Sequence, residues 1–163
     1  MRRTLLGVFA VATLLVAVVV NLSAQGQSNP SIGTWKLNLA KSKYDPPRLA
    51  PKNQTLTIEA AGGGGVKTTN DGTAWDGSRI AYSYTANYDG KDYPIVGTGT
   101  PSGGNTIALK RVDANTFETT IKKAGKVVQT NRIVYAGTLR TITTKGLGEI
   151  GQPTSNVSVY DKQ

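Results

Sequence analysis

The chain has 163 residues, 38% of them hydrophobic and 18% charged, which suits one folded domain and not comfortably two. It contains neither cysteine nor histidine, and its formal net charge is +9. Disulfide frameworks, thiol nucleophiles, Cys/His zinc sites and Ser-His-Asp catalysis are therefore excluded.

The first 24 residues predict a secretory signal peptide. Residues 1–3 include two arginines, residues 5–20 are almost wholly apolar, and residues 21–26 are small and polar. An uncleaved anchor is the alternative, but this run of 16 residues is shorter than the ~20 that a spanning helix needs. Cleavage after Ala24 lowers the net charge to +7. We therefore expect an exported protein, periplasmic or extracellular, with one domain over residues 25–163 and no stable membrane anchor.

Beyond residue 24 the sequence alternates apolar and polar side chains in short runs, the pattern of half-buried β-strands. Many strands joined by short turns must close on themselves or stack. We predict an all-β, antiparallel, mostly up-and-down closed barrel of about 8–10 strands, with room inside for side chains or one small ligand. Ten strand candidates span residues 34–39, 54–60, 66–70, 78–88, 92–97, 106–111, 116–122, 127–135, 139–144 and 157–161.

A long irregular segment, residues 40–53, follows the first predicted strand and contains Pro46, Pro47 and Pro51. A connection of this length between hairpin-joined strands commonly covers a site. It predicts either a lid over one mouth of the barrel or an ordinary surface loop.

Glycine-containing pairs predict the turns between later strands. Asp71-Gly72 and Asp76-Gly77 each stand between alternating runs, and Asp-Gly favours tight hairpins because both positions tolerate positive φ. This turn chemistry also explains the paired acidic residues better than catalysis or metal binding does. We expect no enzyme activity, no metal and no cofactor.

The clearest alternation covers residues 78–88 and places Tyr82, Tyr84 and Tyr88 on one face with Ile80 and Ala86. Such a stripe at strand spacing forms part of a core or lines a cavity, where tyrosine offers apolar area and a hydroxyl. Tyr82 and Tyr84 are therefore candidate ligand contacts.

The basic residues are spread along the chain, with Lys122-Lys123 the densest pair. There is no basic recognition helix and no aromatic-basic motif, so the sequence predicts no nucleic-acid partner. The scattered charge indicates a solvated sheet face, or weak attraction to anionic polymers or lipids.

The two ends of the predicted domain resemble known calycins. Residues 33–37 (GTWKL) resemble the opening motif of intracellular fatty-acid-binding proteins and fit the G-x-W motif of lipocalins, and residues 159–163 (VYDKQ) resemble the closing Y-E-K-Q. Residues 125–143 follow the spacing of that family's last strands. The chain is also similar to small exported bacterial proteins described as lipocalin-like.

The resemblance implies ligand-binding positions near the end of the chain. Fatty-acid-binding proteins hold a carboxylate with an internal arginine, matched by Arg132, and with an R-x-Y pair on the last strand, matched by Tyr160 but with Ser158 in place of arginine. Arg132 faces inward with Val128 and Val134, or outward with Ile133 and Tyr135 on the core face. Tyr160 is a ligand contact or a packing residue.

The resemblance further implies that Gly33 and Trp35 close one end of the barrel. In calycins this tryptophan packs beneath a basic side chain from a late strand. The candidate here is Arg140, through a cation–π contact of about 1 kcal/mol.

These observations favour an exported lipocalin-like carrier that binds a small hydrophobic or amphipathic, possibly anionic, ligand inside the barrel. The alternative is a non-catalytic structural or interaction module of the cell envelope, whose barrel is filled by its own side chains.

Overall fold

The computed structural model describes residues 29–147 and 153–163. The predicted signal peptide, residues 1–24, lies outside the described residues. In the part that is described, no helix is long and apolar enough to cross a bilayer. The helical segments here are single 3-10 turns, such as Leu39–Lys41 and Pro47–Leu49.

The domain is a single antiparallel sheet rolled into a nearly closed barrel, which confirms the predicted fold class. The strands are β1 Gly33–Leu37, β2 Asn53–Ala60, β3 Val66–Thr73, β4 Arg79–Ala86, β5 Asp89–Pro94, β6 Val96–Thr98, β7 Thr106–Arg111, β8 Thr116–Lys123, β9 Lys126–Ala136, β10 Leu139–Leu147 and β11 Pro153–Lys162. Neighbours along the sheet follow the order β5-β7-β8-β9-β10-β11-β1-β2-β3-β4-β6.

The barrel closes through one segment that changes partner. Residues 92–97, predicted as one strand, divide at Ile95: β5 pairs with β7, and β6 pairs with β4. The two outer strands of the sheet are therefore consecutive in the chain. Residues 89–98 bridge the wall covalently between β4 and β7. Because one predicted strand is divided into β5 and β6, the sheet has eleven strands instead of the ten candidates.

Inward-facing side chains fill one end of the barrel. Trp35 is completely buried there and packs against Tyr135, with ring centroids 5.2 Å apart, and Tyr135 forms a T-shaped pair with Phe117, with ring centroids 5.5 Å apart. The aromatic stripe of β4 also faces inward, because Ile80 and Ala86, at its two ends, are buried. These packed side chains close this end of the barrel interior.

The predicted turn at Asp71-Gly72 is wrong. Both residues lie within β3 and pair with Ala81 and Ile80, while the chain turns beyond them, at Asp76-Gly77. A side chain at position 72 would meet the backbone of Asn53 on the neighbouring strand. The glycine therefore permits a close approach of strands rather than a turn.

The opposite end is covered by the segment between β1 and β2. The segment pairs with β11 through a bridge between Lys43 and Val157, and Tyr44, Leu49 and Pro51 reach the interior. Of the two arrangements that the sequence left open for residues 40–53, the structure shows the lid.

Candidate functional site

A cavity of about 240 Å³ lies in the barrel beneath this lid. Its lining mixes aliphatic side chains with hydroxyl and amide groups, and one residue of the described lining, Arg140, carries a charge. The lining is Tyr44, Leu49, Pro51, Gln54, Leu56, Asn70, Ile80, Tyr82, Tyr84, Ile95, Gly99, Pro101, Ile107, Thr119, Ile121, Gln129, Asn131, Ile133, Arg140, Ile142, Thr144, Asn156, Ser158 and Tyr160.

Arg140 forms the base of the cavity. Its side chain lines both this space and a void of about 20 Å³ that lies towards the packed end. The residue is 4% exposed, its Nε donates to the Tyr135 hydroxyl at 3.0 Å, and its Nη1 has no partner. Its guanidinium also lies 5.3 Å from the centre of the Tyr160 ring. Arginine stays protonated in proteins, so the cavity contains a buried positive charge.

A chain of hydrogen bonds runs from Tyr160 on β11 through Gln54 on β2 to Asn70 on β3. The Tyr160 hydroxyl donates to Oε1 of Gln54 at 2.7 Å, and Nε2 of Gln54 donates to Oδ1 of Asn70 at 3.3 Å. Asn70 is 2% exposed, and its Nδ2 has no partner. Among the described residues, Nδ2 of Asn70 and Nη1 of Arg140 are the buried side-chain nitrogens without one.

The tyrosines in this cavity are neutral at ordinary pH. Burial raises the pKa of Tyr82 and of Tyr84, and it raises the pKa of Tyr160 despite the nearby Arg140. A neutral phenol can donate a hydrogen bond but cannot balance the charge on Arg140.

Ser158 connects the wall to the lid. Its Oγ donates to the Tyr44 hydroxyl at 2.9 Å, and Ser42 Oγ accepts from the backbone N–H of Val159 at 2.9 Å. Burial raises the pKa of Tyr44, with the Ser158 hydrogen bond opposing. Ser158, Tyr160, Tyr82 and Tyr84, four of the five predicted ligand-binding residues, line this one cavity.

The fifth residue, Arg132, does not. It is exposed on the outer face of β9, where Nη1 lies 3.0 Å from Oε1 of Glu118 on β8. Ile133 and Tyr135 occupy the inner face instead. The inward orientation of Arg132 is therefore wrong. The alternation of β9 places two large buried side chains inside and leaves the guanidinium in water, where its charge costs least.

The predicted stacking of Arg140 on Trp35 is also wrong. The cation over the Trp35 ring is Lys162, whose Nζ lies 5.3 Å from the ring centre. Lys162 is directly opposite Trp35 in the β1–β11 register, whereas Arg140 is opposite Tyr160 and packs on that ring. Gly33 and Trp35 do lie together at the closed end, and the Lys162 stem passes close to Gly33.

Two solved structures have a similar barrel. Wild-type fluorescent protein UnaG matches with a TM-score of 0.54 and 14% identity over 82% of this chain and 97% of that one. A single-substitution variant of UnaG matches with a TM-score of 0.53 and 16% identity over 81% and 95%. The chain therefore shares the barrel fold of UnaG. No family model and no curated protein matches the chain.

The sequence interpretation did not place two groups of the cavity lining there: it assigned Arg140 to the closed end of the barrel, and it did not single out Asn70. Their signal was present in the alternation: Arg140 shares the inner face of β10 with Ile142, and Asn70 shares that of β3 with Val66 and Thr68. Strand alternation predicts which face a residue is on, but the partner that it meets across the barrel depends on the register of other strands.

Proposed function

We propose that the protein is an exported carrier that holds a small amphipathic anion in the cavity, with the anionic group paired to Arg140. The observation that carries the proposal is the charge balance of the cavity. None of the five ion pairs among the described residues includes Arg140, and no described carboxylate lines the cavity. A buried cation without a counter-charge lowers the stability of the folded protein by about several kcal/mol, and an anionic ligand offsets that loss.

Geometry and resemblance support the same proposal. The fatty-acid-binding proteins that the chain ends resemble hold a carboxylate with an internal arginine. Here the arginine is on β10 rather than at Arg132 on β9. The apolar part of a ligand would meet Ile107, Ile121 and Ile142 in the cavity lining. The exported location stays a prediction of the first 24 residues, and the intact mass of the mature protein tests it.

Calorimetry with octanoate and its neutral analogue octanamide tests the carrier. We expect octanoate to bind with Arg140-dependent affinity, because a charge-assisted hydrogen bond contributes about 1.5–3 kcal/mol. Arg140→Met should lower octanoate affinity about tenfold to hundredfold and leave octanamide nearly unchanged.

Arg132→Met is the matched control. It removes the same charge from the outer face, so octanoate affinity should stay within about twofold of the wild type. Equal losses in the two variants would contradict the role of Arg140. The packed end of the barrel favours the alternative, a structural module. A structural module would show no saturable binding of octanoate or octanamide.

A further inference from the structure

We propose that the cavity has a second recognition point at Asn70, and that its ligand is an oxygenated amphipathic anion: a carboxylate with a carbonyl oxygen further along its chain. The proposal rests on the carrier function proposed above and assigns the class of ligand. It concerns the end of the ligand that Arg140 does not hold.

The first support is the state of the Asn70 amide. Asn70 is almost fully buried on β3. Its Oδ1 accepts a hydrogen bond from Gln54, and its Nδ2 has no acceptor. A buried amide N–H without a partner is costly, so native proteins seldom keep one without water or a ligand to accept from it.

Asn131 shows what the same residue type does in this cavity when it is structural. Its Nδ2 donates to Thr119 at 2.8 Å, and its Oδ1 accepts from Gln129 at 2.9 Å and from Thr144 at 2.8 Å. The interior thus satisfies both sides of the Asn131 amide and leaves the donor of Asn70 unused.

The second support is the relation between the two unused donors. Asn70 is on β3 and Arg140 on β10, with β11, β1 and β2 between them along the wall. The link between them passes through Tyr160 and Gln54. The Arg140 guanidinium lies over the Tyr160 ring, and the Tyr160 hydroxyl donates to Gln54. Both unused groups can donate and neither can accept. A complementary ligand therefore presents acceptors at two separated points, one of them charged.

An unsubstituted alkanoate satisfies Arg140 and leaves Asn70 unpaired. A ketone oxygen accepts a hydrogen bond but cannot donate one, so it raises the affinity only where it meets a donor such as the Asn70 amide. Sites built to hydrogen-bond a ligand group discriminate strongly against analogues that lack it, because the site's own group is then left unpaired.

The test compares octanoate with 4-, 5-, 6- and 7-oxooctanoate by calorimetry on the full-length protein. The four isomers place the ketone at different distances from the carboxylate. We expect at least one of them to bind about fivefold or more tightly than octanoate. Asn70→Leu should abolish that preference while octanoate still binds, and Asn70→Ala gives the same comparison with a smaller side chain.

Asn131→Leu is the control, since it removes a paired amide from the same cavity. It should keep the preference for the favoured oxo-acid over octanoate, even where both affinities change. If octanoate binds through Arg140 but no oxo-acid exceeds it, or if the preference survives in both Asn70 variants, the second recognition point is wrong and the carrier stands. If no carboxylate binds the wild type, the carrier and the recognition point are both wrong.

Discussion

At the scale of single residues, the interior separates groups that complete the fold from groups that the fold leaves unused. Tyr135 and Trp35 have both their apolar surface and their polar atom satisfied within the chain, since the Trp35 indole donates to the Ser31 carbonyl at 2.8 Å. Arg140 and Asn70 are equally buried but keep a free donor. Because such groups weaken the free protein, they indicate a site that a ligand completes.

Asn131 and Asn70 should respond differently to the same change. Asn131→Leu leaves the hydrogen-bond partners of a fully paired amide without a partner. We therefore expect the free energy of unfolding to fall by about 1–3 kcal/mol. Asn70→Leu removes a donor that is already unpaired and breaks one long hydrogen bond to Gln54, so the loss should be clearly smaller, or stability should rise. Urea unfolding of the ligand-free variants measures the difference, and equal losses would contradict the contrast.

At the scale of elements, the closure of the wall depends on β6, a strand of three residues that pairs with β4 after the chain has left β5, the strand paired with β7. At its centre, Gly97 pairs with Tyr82 and has a φ of 126°. A side chain there would meet the Ala81 carbonyl. The division of the predicted strand at Ile95 thus depends on a residue that allows the chain to cross close to β4.

Gly97→Ala should therefore lower the free energy of unfolding by about 2 kcal/mol or more, because it adds both backbone strain and a clash. Gly90→Ala is its control: φ there is 76°, and nothing lies within 4 Å of the added methyl. That variant should cost only about 1 kcal/mol. Urea denaturation compares them, and a cost at Gly90 equal to that at Gly97 would show that the close approach to β4 is unimportant.

At the scale of the whole molecule, the barrel buries phenols rather than carboxylates. Burial raises the pKa of five tyrosines: Tyr44, Tyr82, Tyr84, Tyr135 and Tyr160. In the unfolded chain these phenols ionise near the ordinary tyrosine pKa of about 10. Since the unfolded state then loses protons that the folded state keeps, their stabilising contribution is complete below that pH and is lost above it.

We therefore expect cooperative alkaline unfolding, in which the tyrosinate absorbance of these residues appears together with the loss of the β-sheet circular dichroism signal. Tyr82→Phe removes one such phenol without changing its ring and should move the midpoint to higher pH. Complete tyrosine ionisation while the sheet is still intact would contradict this coupling.

The sequence by itself determined the fold class, because alternation and turn chemistry are local properties that each strand carries. It also identified four cavity residues, since Tyr82 and Tyr84 follow from the stripe on β4, and Tyr160 and Ser158 follow from the resemblance of the last strand. Tertiary structure decided which arginine is inside. Arg132 and Arg140 are both on late strands, and the assembled sheet puts Arg132 opposite Glu118 on the outer face and Arg140 opposite the buried Tyr160 on the inner face. The donor of Asn70 likewise became visible only once strands distant in the chain had met, because an unpaired group is defined by everything around it.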